Sequence, residues 1–407
     1  MIHRAYKVEL DPNDCQRTAF LRHAGAARWA YNWGLNRKND AYRRGEKSPT
    51  AIDLHRELVA LKHLEKDVGG VPWMYEVSKC APQEALRHLD VAFKNFFRRC
   101  KADGGKKGFP KFKSKRNGVG GFTLTGAIKV APASIVFPRI GSVRLKEHDR
   151  LPLGSKIASA TVTERAGRWF VSVLVKDQPA PDPAPAGAVV GVDVGVNHLA
   201  VLDDGTKFEN PRALKTAAIR LVRLQRRVSR KVKGSRNRAK AAKKLTRQHY
   251  RIECVRRDAI HKATTATAKR AAIVGVETLN VTGMMKNHRL ARAIGDAGMA
   301  EFLRCLKYKV EWRGGVVIEA SRFYPSSKTC SCCGAVKDVL GLHERTYRCA
   351  FCGLVQDRDV NAACNLKQLA ASSAVTACGG ALRPGHGTSY RAAPAKQEPS
   401  AMGVVHG

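Results

Sequence analysis

The sequence predicts an α/β multidomain chain: a small β-barrel with a helical lobe inserted in it, followed by a domain of short strands and basic helices that carries a cysteine-rich module. Three observations predict it. Residues 122–175 are strand-like throughout, with turns between short β-branched runs. Residues 178–187 alternate proline and set that region apart from the apolar strand Val189-Val190-Gly191-Val192-Asp193, which carries a carboxylate. Two Cys-x2-Cys pairs then stand fifteen residues apart, Cys330 with Cys333 and Cys349 with Cys352.

Composition narrows the function. The 407 residues suffice for two or three domains and a sizeable core. Lys and Arg total 73 against 34 Asp and Glu, a net +39. A charge this large repels itself unless a polyanion neutralises it, so nucleic acid is the expected partner. A merely solvated surface would be mixed in sign. No run approaches the roughly 18 apolar residues of a membrane span, and no signal-peptide apolar region opens the chain. The expectation is a soluble, intracellular protein with no membrane partner. Four cysteines stand in close pairs while Cys15, Cys80, Cys100, Cys254, Cys305, Cys364 and Cys378 are scattered, which suits a reducing compartment and a metal site.

Taken in order, residues 5–10 alternate as a strand, and Asp11-Pro12-Asn13-Asp14 starts a helix in which Ala26, Trp29, Ala30 and Trp33 fall at helical spacing. These read first as core and second as a base-stacking platform. A further helix begins at Pro82 and carries Leu86, Leu89, Phe93, Phe96 and Phe97. The run from Lys106 to Lys115 breaks it, and Lys111, Lys113 and Lys115 are expected on phosphates. Five strands follow, at 128–130, 135–137, 143–145, 160–163 and 169–175. They predict the barrel, which the first strand completes.

Past the proline linker, Gly195 and Asn197 turn the Asp193 strand back into a second strand, and a third follows near Lys207. Asp193 either orders that turn or binds something positive. Residues 212–270 hold 21 Lys and Arg against only Glu253 and Asp258, which is +19 of the +39. The stripe Leu214, Ala218, Leu221, Leu224, Val228 and Val232, the break at Gly234-Ser235, and the stripe Leu245, Ile252, Val255 and Ala259 predict two amphipathic helices. Their outer faces, including Arg226, Arg227, Arg230, Lys231, Lys243 and Lys244, can track a phosphate backbone. A second buried-type strand, 271–276, ends in Glu277. A loop and short helix are expected over 284–298, a longer helix over 301–312 and a strand at 316–318.

The cysteine quartet has the spacing of a four-cysteine zinc ribbon, with Gly334 and Gly353 at the knuckle turns and Cys332 a bystander. Four protein ligands leave no open position, so the Zn2+ is structural. A helix starts near Asp359, a carboxylate position that capping alone would explain. The tail from Ser373 lacks periodicity and is expected to be disordered. Hard oxygen ligands from Asp193, Glu277 and Asp359, if gathered, select Mg2+ or Mn2+ and suit phosphodiester hydrolysis. Their order, 84 and 82 residues apart, is the layout of a ribonuclease-H-like fold.

Gly191-Val192-Asp193-Val194-Gly195, Val276-Glu277-Thr278-Leu279-Asn280, Ser327-Lys328-Thr329-Cys330-Ser331-Cys332-Cys333-Gly334 and Asp357-Arg358-Asp359-Val360-Asn361-Ala362-Ala363, in this order, resemble the TnpB/OrfB family of insertion-sequence transposons. The resemblance spans residues 6–369. It implies a wedge β-barrel over 1–12 and 109–177 and a helical recognition lobe over 13–108. After the linker it implies a RuvC nuclease domain over 188–325 and 354–371, interrupted by a zinc-ribbon target-nucleic-acid-binding module over 326–353. Residues 372–407 would be a disordered tail. It further implies a prokaryotic, nucleoid-associated RNA-guided endonuclease that takes a guide RNA from the transposon end and cuts double-stranded DNA beside a short transposon-adjacent motif.

Asp193, Glu277 and Asp359 match the family's catalytic acids, Cys330, Cys333, Cys349 and Cys352 its zinc ligands, and Lys79 and Gln83 its adjacent-motif readers. In such systems the guide duplex carries sequence specificity and the protein reads the motif and backbone shape. A non-catalytic RNA-guided regulator would be expected to have lost an acid. An autonomous strand-joining transposase finds no His-x-His pair or catalytic tyrosine setting. A plain RNA-binding or ribosome-associated protein leaves the strand-end acids unexplained.

Overall fold

The computed structural model describes residues 2–102, 108–341 and 343–378. The chain divides after Pro179 into two compact units, within the stretch where proline alternates.

The first unit runs β1 (Ile2–Asp11), α1 (Asp14–Arg43), α2 (Ala51–His63), α3 (Cys80–Lys101), β2 (Gly121–Leu124), β3 (Lys129–Ala131), β4 (Ser134–Phe137), β5 (Gly141–Leu145), β6 (Ile157–Arg165) and β7 (Arg168–Gln178). Asn13 and Gln16 close a capping box at the start of α1. All strands join one antiparallel sheet in the order β2-β6-β7-β1-β5-β4-β3. The N-terminal strand thus sits in the middle of a sheet made by residues more than a hundred positions later, and α1 to α3 are inserted between its strands.

The sheet corrects two expectations. It has seven strands rather than six, because β2 pairs with β6 as a strand of its own. Its outermost strands, β2 and β3, are not hydrogen-bonded to each other among the described residues, so the ladder stays open where a closed barrel would join them. Phe20 of α1, wholly buried, covers the sheet, with ring centroids 5.0 Å from Trp169 and 5.9 Å from Phe122.

Ala26 and Ala30 are core residues; Trp29 and Trp33 stack on each other at 5.9 Å and pack against the core only in part. In α3 the predicted stripe is buried at Leu86 and Leu89, while Phe93 and Phe96 meet Phe109 edge-on and Phe97 packs against those two rings. The sequence reading missed α2, although Thr50 and Asp53 form a second capping box there.

The second unit runs β8 (Val189–Asp193), β9 (His198–Leu202), β10 (Lys207–Glu209), α4 (Ala213–Thr216), α5 (Ala218–Ser229), α6 (Arg236–Arg270), β11 (Ile273–Val276), α7 (Val281–Met284), α8 (Ala291–Ala297), α9 (Met299–Trp312), β12 (Val316–Glu319), β13 (Thr346–Arg348), β14 (Val355–Asp357) and α10 (Arg358–Cys378). Its main sheet has the order β10-β9-β8-β11-β12, with β8, β9 and β10 antiparallel and β11 and β12 parallel to β8. The core under it joins Val192, Val274 and Val276 to Phe302 and Leu306 of α9 and Ile260 of α6.

The basic stretch departs from two simple helices. Ala217 breaks the first into α4 and α5. The first apolar stripe stops short of Val232, which is exposed, and Val255 lies off the buried face of α6, which continues through Ile260 and Ala263. The Gly234-Ser235 interruption holds, with Ser235 accepting the Arg238 amide as the cap of α6. No helix among the described residues is long and apolar enough to cross a membrane. Helix α10 continues to Cys378, so residues 372–378 are helical where a disordered tail was expected; residues 379–407 lie outside the described part.

Candidate functional site

Asp193 ends β8 and Glu277 directly follows β11. The strands are parallel with Val192 opposite Val276, so the two carboxylates emerge side by side at their C-terminal ends, where α/β sheets commonly present ligand groups. Two residues before each acid, on the same strand face, stands a glycine, and Gly191 and Gly275 are themselves register partners. A Cβ on Gly191 would lie 1.8 Å from the Ala363 carbonyl oxygen, and one on Gly275 2.2 Å from that of Leu366. The glycine pair is therefore a saddle on which the backbone of α10 rests directly. That seating brings in Asp359, one turn before Ala363.

The acids sense one another. Burial first, then the Glu277 and Asp359 charges, push the Asp193 carboxyl well above its usual range, with Arg358 opposing. Helix α10 is capped by Asp357 rather than Asp359: Asp357 Oδ1 accepts the Asp359 and Val360 amides at 2.9 and 3.3 Å, and its Oδ2 takes Lys207 at 2.6 Å. The capping explanation of Asp359 is thereby removed, because a neighbour fills the role.

The cysteine quartet is closed. The four Sγ atoms of Cys330, Cys333, Cys349 and Cys352 all lie within 4.8 Å of one another, the only such group of three or more ligand-type side chains among the described residues. Cys330 to Cys352 and Cys333 to Cys349 are 3.6 Å apart, close to the ~3.8 Å edge of a tetrahedron with Zn–S bonds of about 2.3 Å. Gly334 and Gly353 have φ of 77° and 72°, as the knuckle turns require.

Without a cation the sulfurs cannot all be thiolates. The Cys352 and Phe351 amides bring Cys349 down to about 6. The Leu354 amide favours the Cys352 thiolate, but desolvation and the three other sulfurs carry it up to about 12. The donor set fits zinc.

A strap joins the two centres. Asn361, Asn365 and Gln368 project from one face of α10 onto residues 326–331, which lead into the first knuckle. Asn365 Nδ2 donates to the carbonyls of Ser326 and Thr329, both at 2.7 Å. Asn361 Nδ2 donates to Thr329 at 2.7 Å, its Oδ1 accepts the Ser331 amide at 3.0 Å, and Gln368 donates to the Ser331 carbonyl at 2.7 Å. Ser326, held in this way, donates its hydroxyl to Glu277. Ser326, Asn361 and Asn365 are almost wholly buried. The sequence reading missed all three; the Asn-x3-Asn spacing, which puts two amides on one helix face, was the available signal.

The predicted nucleic-acid residues fall on both units. Lys79 precedes α3 and Gln83 lies one turn into it. Lys111, Lys113 and Lys115 are all exposed residues; the Lys113 ammonium sits 3.9 Å from the centre of the Tyr31 ring, and partial desolvation lowers its pKa. In the second unit, Arg226, Arg227, Arg230, Lys231, Lys243 and Lys244 are all exposed, and Arg227, Arg230, Lys231 and Lys244 line one cleft of about 490 Å³ between α5 and α6.

Comparison with known proteins fits this arrangement. Residues 170–288 match the OrfB_IS605 family, described as "Probable transposase", and residues 300–366 match a "Cas12f1-like, TNB domain". A third match, to a "Helix-turn-helix domain" over residues 1–47, falls on β1 and the single continuous helix α1. The chain is 36% identical to a "Putative RNA-guided DNA endonuclease" of Streptomyces pristinaespiralis, over 98% of this chain and 96% of that one. It is 33% identical to "Putative RNA-guided DNA endonuclease InsQ" of Escherichia coli (strain K12), over 98% of each. Among solved structures, Cas12j bound to crRNA aligns over 91% of this chain with 12% identity and a TM-score of 0.43. The chain belongs to the OrfB/TnpB family.

Proposed function

We propose that this protein is an RNA-guided, divalent-metal-dependent DNA endonuclease of a mobile element, cutting double-stranded DNA beside a short adjacent motif. The observation that carries the reading is the glycine saddle, which seats α10 against β8 and β11 and gathers Asp193, Glu277 and Asp359 at one end of the sheet. We read that sheet as a ribonuclease-H-like, RuvC-type core. Three carboxylates in a mutually repelling arrangement are a donor set for hard cations. Two Mg2+ or Mn2+ ions held there would supply an activated water and stabilisation of the leaving oxygen. The chain's own share is to fix the carboxylates: Asp193 and Glu277 from the parallel strand ends, Asp359 from the first turn of α10, and Ser326 by orienting Glu277 with its hydroxyl.

The printed names of the two relatives support an RNA guide and a DNA target. The guide RNA, taken from the transposon end, has its counterpart in the exposed cations of α5 and α6. We assign the reading of the adjacent motif to Lys79 and Gln83, at the start of α3. The zinc ribbon serves as the target-nucleic-acid-binding module, and the protein works at the nucleoid.

The test is co-expression with RNA from the gene's downstream flank, followed by a plasmid library carrying the matched target beside randomised bases. Cleavage by wild type with Mg2+, absent with chelator and in Asp193→Asn, is expected. Matched binding without cleavage would replace this reading with an RNA-guided regulator.

A further inference from the structure

Beside the turn that follows Asp193, a cavity of about 370 Å³ is walled by four cations: Arg212 and Lys215 from the run into α4, and Arg289 and Arg292 from the start of α8. All four side chains are exposed, and none has an ion-pair partner among the described residues. Some other cations of this unit are paired, as Lys207 is with Asp357, Arg270 with Asp204 and Lys367 with Asp203.

The one acid in the cavity wall, Asp296, is 4% exposed and already spent. Its oxygens accept the Leu214 amide at 2.9 and 3.0 Å and the Lys215 amide at 3.1 Å, which fixes the backbone that presents Lys215. Arg212 is held in the left-handed region, φ 45°, a costly conformation for a residue with a Cβ. Asn210, nearly buried, keeps it there: its Oδ1 accepts the Arg212 amide at 3.0 Å while its Nδ2 donates to the Val196 carbonyl at 2.6 Å. Two buried polar side chains thus hold two of the four cations towards a space whose single acid, Asp296, leaves the positive charge in excess.

A ligand that fits has dense negative charge, several acceptor oxygens for guanidinium forks, and enough length to meet cations on two separate elements. We propose that this cavity binds the phosphodiester backbone of a single nucleic-acid strand and guides it past the β8–β9 turn towards Asp193. The second half of that statement rests on the nuclease reading; the binding itself does not.

The test uses the full-length chain in chelator, so that nothing is cut, with labelled 20-nucleotide DNA and RNA strands of one sequence, and affinity measured against salt. Each neutralised phosphate contact on a single strand contributes about 0.7 to the slope of log affinity against log salt. Arg289→Gln/Arg292→Gln should therefore flatten the slope by about 1.4, and Arg289→Lys/Arg292→Lys should preserve most of it. Asn210→Ala leaves the charge unchanged but releases Arg212, and should weaken binding several-fold at fixed salt, measured at a temperature well below a melting point lowered by a few degrees. Flattening with DNA identifies the target strand as the occupant, and flattening with RNA alone identifies the guide. Unchanged slopes with both strands overturn the proposal. So does a flattened slope combined with full affinity in Asn210→Ala, which would mark general surface charge. Loss of DNA cleavage in the wild type would sink the nuclease reading and leave these binding results standing.

Discussion

Asp193 stands among valines at the end of a buried strand, and its neighbours make ionisation there unfavourable in the metal-free protein. A carboxyl raised in the folded state adds stability that is fully present below the ordinary carboxylate range and is lost as pH rises through the raised value. At neutral pH in chelator, above the ordinary carboxylate range, this group therefore costs the folded state stability. Asp193→Asn should melt a few degrees higher than wild type in chelator, and added Mn2+ should raise the wild type's melting temperature but not the variant's. A variant that melts lower in chelator would contradict this.

Ser326→Ala and Asn365→Ala act at one remove, by loosening Glu277. Each should slow cleavage about 10- to 100-fold, as loss of an orienting contact around metal ligands does, while zinc content and guide binding hold. Ser326→Thr, which keeps the hydroxyl, should recover part of the loss. Asp193 and Glu277 stood out in the sequence as carboxylates at the ends of apolar strands, whereas Asp359, at a helix start that capping alone would explain, was joined to them by the family resemblance. Ser326, Asn361 and Asn365 did not stand out, because a polar residue in a loop or a helix looks ordinary until its partners are known.

Elements explain why the acids meet. The Gly-x-acid repeat, Gly191-Val192-Asp193 and Gly275-Val276-Glu277, was visible in the sequence, yet its meaning depends on β8 and β11 being parallel and in register. That pairing joins strands more than eighty residues apart, and no local pattern reports it. Gly275→Ala would drive a methyl against the Leu366 carbonyl, so α10 must shift. A loss of about 3 kcal/mol is expected, a melting drop of several degrees, with cleavage falling further than stability alone accounts for.

The zinc ribbon was legible from spacing, since Cys-x2-Cys knuckles are local. What spacing did not show is the strap that ties it to α10. Cys349→Ser should abolish zinc by elemental analysis and, through that strap, reduce cleavage as well. Full cleavage by a zinc-free chain would show that the strap carries nothing to Glu277. The first apolar stripe was overextended to Val232 because periodicity cannot tell where a helix face runs out of neighbours.

Over the whole molecule the surplus of +39 is the plainest signal in the sequence, and it fixes the class of partner without fixing where the partner binds. The division after Pro179 was marked by proline. The seven-stranded sheet was harder to read, because β1 joins strands made after the whole helical insertion. A surface this basic should give nucleic-acid affinities that fall steeply between 50 and 200 mM salt, by about a thousandfold or more where six or more phosphates are contacted. A shallow salt response would shift the binding energy from phosphates to other contacts.

The central claim is that Asp193, Glu277 and Asp359 form one divalent-metal centre. Calorimetric titration of Mn2+ into the zinc-loaded, full-length chain tests it most directly, comparing wild type with Asp193→Asn, Glu277→Gln and Asp359→Asn. The account predicts saturable binding in the wild type that each of the three substitutions abolishes or weakens at least tenfold. Equal binding in all four proteins would mean that the acids, although gathered by the fold, do not share an ion.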